Sequence, residues 1–283
     1  MIDEMKNILI SKLEVFKSDN FTFDEASHTY LYNKKKFTSV TTFLKNFVKE
    51  FNTQEKSKSS AIKLLKKEGK ELSDSNIELY QANLIKEWEV KKVMGCDLGS
   101  ITHKTIEEIL NGDNITPIMD EEALRRIISF RTDIYDKKMK SNVIPIGQEI
   151  RIFCEELGIA GTIDCLVMRL HKDGIWRLEI WDWKTNIRIR TDCDKNYNKL
   201  LPPFQKEWEN ELNKYSIQLN LYKLILASKG IFVDGECVVI HIPSDNEPKI
   251  YKCKDYISEL EMYFGIDYYT NLKNKYKKIT QKV

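Results

Sequence analysis

The chain is poor in the residues that mark unusual polymers. It has only 11 Gly and 6 Pro in 283 positions and no low-complexity stretch, which excludes collagen-like and disordered classes. Its six cysteines contain no CxxC pair: Cys96, Cys154, Cys165, Cys193, Cys237 and Cys253 are scattered, several in apolar, strand-like surroundings where a reduced thiol packs as a small hydrophobe. Apolar runs such as Val238 to Ile242 are far too short to span a bilayer. The opening MIDEMKNILISKLEVFK alternates charged and apolar residues at helical spacing and lacks the apolar segment and small-residue cleavage site of a signal peptide. A reduced cytoplasm with no membrane partner is the expected setting. No repeat of solenoid length is present.

A large net charge is missing too, but the +2 of the whole chain conceals an uneven distribution. Between Asn33 and Lys70 eleven Lys face three Glu, a balance of +8; the tail from Tyr269 to Val283 has five Lys and no acid, leaving −11 for the remainder. Basic segments beside an acidic body suit a protein that holds a polyanion near a cation-binding, carboxylate-rich centre. Lysine-rich helix faces are also ordinary solvated surface.

What is present is a change of period along the chain. Phe21 to Tyr32 and Lys36 to Thr42 read as short strands around Asn33-Lys34-Lys35, and Val40 to Phe51 turns helical. Helical spacing continues from Asp74 to Met94, where Gly95 is expected to stop it, then from about Asp97 to the Asn111-Gly112 stop, and from Glu121 to about Lys140. Three strands follow, Gln148 to Cys154, Ile159 to Leu170 and Ile175 to Thr185, joined by Glu156-Leu157-Gly158 and His171-Lys172-Asp173-Gly174. An irregular stretch over 186–207 leads to a helix from Trp208 to Ser228, with Gln218 and Tyr222 on a polar ridge and Ile217, Leu221, Leu224 and Ile225 opposite. Strands Glu236 to Ile242 and Lys249 to Lys254 precede a last helix from Tyr256. The expectation is an α/β fold: an N-terminal strand-hairpin and helical extension over residues 1–95, packed on a core over 96–283.

The informative stretch is Gly161-Thr-Ile-Asp164 followed by Glu179-Ile-Trp-Asp182-Trp-Lys184. Strand alternation puts Asp182 and Lys184 on one face, with Trp181 and Trp183 on the other. A four-residue turn would pair Asp164 with Trp181; a bulge or a five-residue loop would set Asp164 opposite Asp182. Two carboxylates that close repel unless a cation lies between them, and hard oxygen ligation of this kind suits Mg²⁺ or Mn²⁺. Lys184 stands where it could position a water or neutralise a phosphorane-like transition state. Aspartate and lysine two apart also make a plain strand-face ion pair. On the helix before, His103 and Glu107 are four apart and share a face, so a metal ligand and an orienting carboxylate could point the same way.

In chain order the set reads Gly99 to His103, Gly161 to Asp164, Asp182 to Lys184 and Gln218 to Tyr222. It resembles the RecB-type branch of the PD-(D/E)XK nuclease superfamily, whose pattern is GxxxH, GxxD, (D/E)xK and QxxxY. Phe37-Thr-Ser-Val-Thr-Thr-Phe-Leu resembles, more weakly, the opening of phage-encoded and mitochondrial-maintenance-type exonucleases of that branch. The resemblance implies a restriction-endonuclease-like core, a central mixed sheet flanked by helices. It implies His103, Asp164, Asp182 and the Trp183 carbonyl as metal ligands, Lys184 as catalytic lysine, and Gln218 and Tyr222 as phosphate-positioning or scaffold residues. Glu149 matches a carboxylate that could reach a second metal through water. Relatives that carry an iron–sulfur cluster hold it with a clustered cysteine trio; Cys237 and Cys253 make no such trio, so no cluster is expected. The implied activity is a Mg²⁺- or Mn²⁺-dependent DNA exonuclease in replication, recombination or repair, acting on linear DNA with free ends, with a recombination or replication protein as a further partner, in a bacterial or phage-infected cytoplasm. An idle nucleic-acid-binding module and a restriction-type endonuclease are the competing functions. A channel walled by the basic N-terminal helices and the 186–207 loop, with Tyr197, Phe204 or Trp208 stacking on bases, would favour strand ends.

Overall fold

A computed structural model describes residues 2–25, 27–192 and 198–280. Helix α1 (Ile2–Leu13) leads into three short strands, β1 (Phe21–Asp24), β2 (Thr29–Tyr32) and β3 (Lys35–Ser39), where a pair was expected before the helix. Ser39 then caps α2 (Val40–Phe43), its hydroxyl accepting from Thr42 N at 3.1 Å. Helix α3 (Thr53–Lys67) carries part of the basic segment and packs on α4 (Asp74–Asn111).

Gly95 does not stop a helix. α4 runs unbroken through it, because one glycine costs only about 1 kcal/mol in a helix interior and the flanking Glu-, Lys- and Leu-rich turns outweigh that. The expected division at residues 95/96 therefore falls inside α4. The Asn111-Gly112 stop does hold: Gly112 takes φ +76°, and the last carbonyls are met by Gly112 N and Asp113 N. Helix α5 (Glu121–Ser129) is capped by Asp120 and continues as a wider π-helical segment, Phe130–Met139, rather than as one regular α-helix.

A meander of β4 (Val143–Cys154), β5 (Ile159–Leu170) and β6 (Trp176–Lys184) comes next, then α6 (Glu211–Ser228), β7 (Cys237–His241), β8 (Lys249–Lys252), α7 (Ile257–Phe264) and α8 (Tyr268–Thr280). Gly265, at φ +67°, divides the expected final helix into these last two. The eight strands form one mixed sheet in the order β1-β2-β3-β5-β6-β7-β8, with β4 pairing β5. β3 and β7 run parallel to their neighbours β5 and β6; the other pairs are antiparallel.

One detail of this sheet positions everything else. β4 occupies one edge of β5 along its whole length, from Ile159 to Arg169. The other edge is shared: β3 takes Ile159 and Ala160, and β6 takes Cys165 to Leu170. Residues 161–164 lie between the two ladders with that edge open.

The core is correspondingly split between the two sheet faces. Trp181, Trp183, Val238 and Ile240 pack with Ile106, Ile109 and Phe130 of the α4 and α5 layer, whereas Leu178, Ile180 and Val239 pack with α6. Helix α6 is not amphipathic in its setting. It is buried on every side, Gln218, Asn220, Tyr222 and Lys223 included, because α2, α7 and α8 cover the side that faces away from the sheet. Among the described residues no helix is long and apolar enough to cross a membrane.

Candidate active site

The loop between β5 and β6 has five residues, 171–175, since Leu170 pairs with Trp176. That register, continued one step past the last pair, Cys165 with Trp181, sets Asp164 opposite Asp182. The four-residue alternative is thereby excluded. Beyond Cys165 the ladder gives way, and the Asp164 carboxylate takes over its role: Oδ2 accepts from Trp183 N at 2.8 Å. This charge-assisted bond fixes the carboxylate at the open edge of β5.

From the other edge comes Glu149. Gln148 pairs with Cys165 and Ile150 with Ile163, so Glu149 falls opposite Asp164, and it does so at φ +46°, a left-handed conformation rare for a non-glycine residue. The bulge lies just upstream, between Pro145 and Gly147. Strain of this sort just past a bulge in a long strand marks a place where a side chain has been re-aimed.

The third component is delivered by α4. Gly99 lets that helix approach the end of β6, since a Cβ there would lie 3.3 Å from Thr185 Oγ1. One turn on, His103 reaches into the gap: Nε2 lies 3.1 Å from the Trp183 carbonyl oxygen, while Nδ1 is 3.6 Å from Asp164 Oδ2 and 3.7 Å from Glu149 Oε1. The ligand-capable atoms of His103, Glu149 and Asp164 all lie within 4.8 Å of one another. Burial opposes protonation of His103, but the Asp164 and Glu149 carboxylates outweigh it and hold its pKa above the ordinary value. The Trp183 carbonyl, implied as a metal ligand, here accepts from the imidazole, an arrangement that orients a ligating histidine from behind.

Asp182 and Lys184 stand side by side as the strand alternation requires, with the lysine ammonium 2.5 Å from Asp182 Oδ2. Asp182 is only 1% exposed, and despite that close cation neither of its oxygens has a well-directed hydrogen bond. Burial pushes its carboxyl up to about 6, against the pull of Lys184. Burial works against the charge on Lys184 as well, yet Asp182 and Asp164 keep its pKa above the usual lysine value. The ammonium also lies 4.9 Å from the ring centre of Tyr215.

Gln218 and Tyr222 face the site from α6, with Gln218 Nε2 donating to Tyr222 Oη at 3.0 Å. The Tyr222 ring lies across Gly161, whose missing side chain makes room for it: a Cβ there would be 2.6 Å from Tyr222 Cε1. The first glycine of GxxD and the tyrosine of QxxxY are thus one packing unit.

No family model and no curated protein matches the chain.

An open cleft of about 790 Å³ is lined by His103, Glu149, Asp164, Gln218 and Tyr222 and by Glu107 on the same face of α4, whereas Asp182 and Lys184 are not among its lining residues. The basic segment 33–70 contributes Ser39, Val40 and Thr41 to the lining but none of its lysines. The expected stacking residues are elsewhere. Phe204 is 2% exposed and packs on Phe47 and Tyr256, its ring claimed by the core; Trp208 is covered on one face by the Lys199 ammonium, 3.8 Å from its ring centre; and Tyr197 lies outside the described residues. The cleft instead takes its aromatic wall from β1 and β2, through Phe23, His28 and Tyr30, with Arg151 of β4. The alternation Phe21-Thr-Phe23 and Tyr30-Leu-Tyr32 was the available signal for an aromatic hairpin face.

Proposed function

We propose that this protein is a metal-dependent DNA nuclease of the RecB-like PD-(D/E)XK type with a restriction-endonuclease-like core, acting on DNA ends in replication, recombination or repair. The observation that supports it most is convergence. Four short motifs spread from Gly99 to Tyr222 meet near one open strand edge, with an imidazole and the Glu149 and Asp164 carboxylates in one cluster and Asp182 paired with Lys184 on the adjoining strand.

The donor set fits a hard divalent cation. His103, Glu149 and Asp164 offer a nitrogen and carboxylate oxygens at mutual distances a single ion spans, and the Asp182 oxygens have unspent lone pairs. His103, Asp164 and Asp182 would hold Mg²⁺ or Mn²⁺, with Glu149 beside them. Such an ion lowers the pKa of a bound water and stabilises charge on a phosphoryl oxygen. The chain's own residues do the positioning. Trp183 N locks the Asp164 carboxylate, the Trp183 carbonyl sets the His103 tautomer, and Lys184 holds a positive charge where negative charge develops on the phosphate. Gln218 and Tyr222 brace one another and close the floor beneath Gly161.

The test uses end-labelled linear DNA and covalently closed single-stranded circles of the same sequence, incubated with Mg²⁺, Mn²⁺ or EDTA, with products sized over time. Metal-dependent shortening of linear strands, with circles spared, is expected. Equal cutting of circles makes it an endonuclease, and binding without any cleavage sinks the enzymatic reading.

A further inference from the structure

The aromatic wall of the cleft has more on it than packing requires. Phe23 pairs with Tyr30 in the β1–β2 register, their rings 4.5 Å apart, and Tyr30 is anchored by a 2.9 Å hydrogen bond to Thr162 on β5. That much is core. Two exposed groups then continue the column into the cleft. The Arg151 guanidinium lies 4.9 Å from the Phe23 ring centre, and His28 stands edge-on to the same ring at 5.1 Å. His28 adopts φ +48°, in a turn where the Ser27 hydroxyl donates to Asp24. Glu25 takes one edge of the guanidinium, 3.1 Å from Nη2.

Placement relative to the carboxylates gives this wall a meaning. Arg151 is two residues beyond Glu149 on β4, a step of about 6–7 Å along a strand. It and Lys104 are the permanent cations among the described residues lining a cleft that is otherwise acidic at its centre. A planar cation held against an aromatic ring is a surface on which a nucleobase stacks, and its charge serves the adjoining phosphate at the same time.

We propose that Arg151, Phe23 and His28 form a stacking subsite for one unpaired nucleobase, next to the His103, Glu149 and Asp164 cluster at which a metal ion would hold the phosphate, so that the substrate enters as a single strand. The position of the phosphate rests on the nuclease reading above; the stacking surface itself does not. A base within a duplex has both faces covered by its neighbours, so this wall selects against paired DNA.

Binding separates the two ideas because it needs no turnover. In EDTA, fluorescence anisotropy is measured with an oligothymidine and with an oligonucleotide of the same length and charge whose central nucleotides are abasic. The wild type is expected to bind the thymidine strand about tenfold more tightly, in line with base–aromatic stacking elsewhere. Arg151→Lys keeps the charge and loses the plane: it is expected to lose most of the preference for bases, read as the ratio of its own affinities for the two strands. His28→Ala, at an exposed position, should lose part of that preference. Equal wild-type affinity for the two strands overturns the subsite whether or not the chain cleaves DNA, and so does an Arg151→Lys variant that retains the full preference. A base preference in a protein that cleaves nothing under Mg²⁺ or Mn²⁺ supports the subsite and removes the nuclease reading.

Discussion

Replacing Gly161 by alanine is the sharpest single perturbation of the way this site is built. The added methyl would sit 2.6 Å from Tyr222 Cε1, closer than real Cβ contacts come, and a tight 3.3 Å from Cζ, and the obstacle is a ring that is itself only 3% exposed. Tyr222 cannot swing away without losing the Gln218 hydrogen bond and disturbing the core of α6. Overpacking of this kind costs about 1–3 kcal/mol, which in a chain of this size lowers Tm by roughly 2–6 °C. Differential scanning fluorimetry and urea unfolding read that loss. A double-mutant cycle identifies its source: in a Tyr222→Leu background, the same alanine should cost at least about 1 kcal/mol less, because its clash partner is gone. An alanine variant that melts within about 1 °C of wild type, or one that costs the same in both backgrounds, refutes the claim that glycine is required here by the tyrosine.

The Asp182 carboxyl gives a pH prediction of definite sign. Burial raises it to about 6, above the roughly 4 of an unfolded aspartate, so the folded chain retains a proton that the unfolded chain has already released between those values. Its contribution to stability is therefore full below about pH 4 and is lost as pH rises through about 6; measured without metal, the Tm of Asp182→Asn relative to wild type should move in the variant's favour from pH 4 to 7, and a flat or falling difference contradicts it. His103→Ala should weaken Mn²⁺ binding by about tenfold or more, seen as a displaced titration in calorimetry, with excess Mn²⁺ restoring part of any cleavage; an unchanged titration leaves the histidine with only its contact to the Trp183 carbonyl.

How much of this was legible beforehand follows physical lines. Alternation along β6 is a local rule, so the shared face of Asp182 and Lys184 and the opposite placement of Trp181 and Trp183 could be read from the strand alone. The position of Asp164 hung on one residue of loop length, and only the Leu170–Trp176 pair decides between the alternatives. Glu149 was expected beside the site, but nothing in its sequence neighbourhood announces a left-handed backbone. Gly95 looked like a stop because propensity is local, whereas the length of α4 is decided by what packs along it. For α6 the pattern set a polar ridge with Gln218 and Tyr222 against an apolar face, but not the burial of the whole helix. That ridge faces the site and packs on Gly161, and the rest of the helix is buried by contacts with the sheet and with α2, α7 and α8, which no single-helix pattern reveals. The stacking residues were sought near the irregular stretch after Lys184, while the rings and the planar cation lie in the β1–β2 hairpin and β4, over a hundred residues from one another in sequence and brought together by the strands on opposite edges of β5.

The central claim, that Asp164, Asp182 and Lys184 carry metal-dependent phosphodiester cleavage, is tested most directly by one measurement. Initial rates on end-labelled single-stranded DNA are compared for wild type, Asp164→Asn, Asp182→Asn and Lys184→Ala in Mn²⁺, with EDTA as the blank and a thermal melt to show that each variant is folded. Wild type should cleave in Mn²⁺ and not in EDTA, and each folded variant should fall by well over tenfold, since losing a group that acts on transition-state charge costs more than about 1.4 kcal/mol. A folded Asp182→Asn enzyme that keeps more than about a tenth of the wild-type rate, or wild-type cleavage that survives EDTA, contradicts the account.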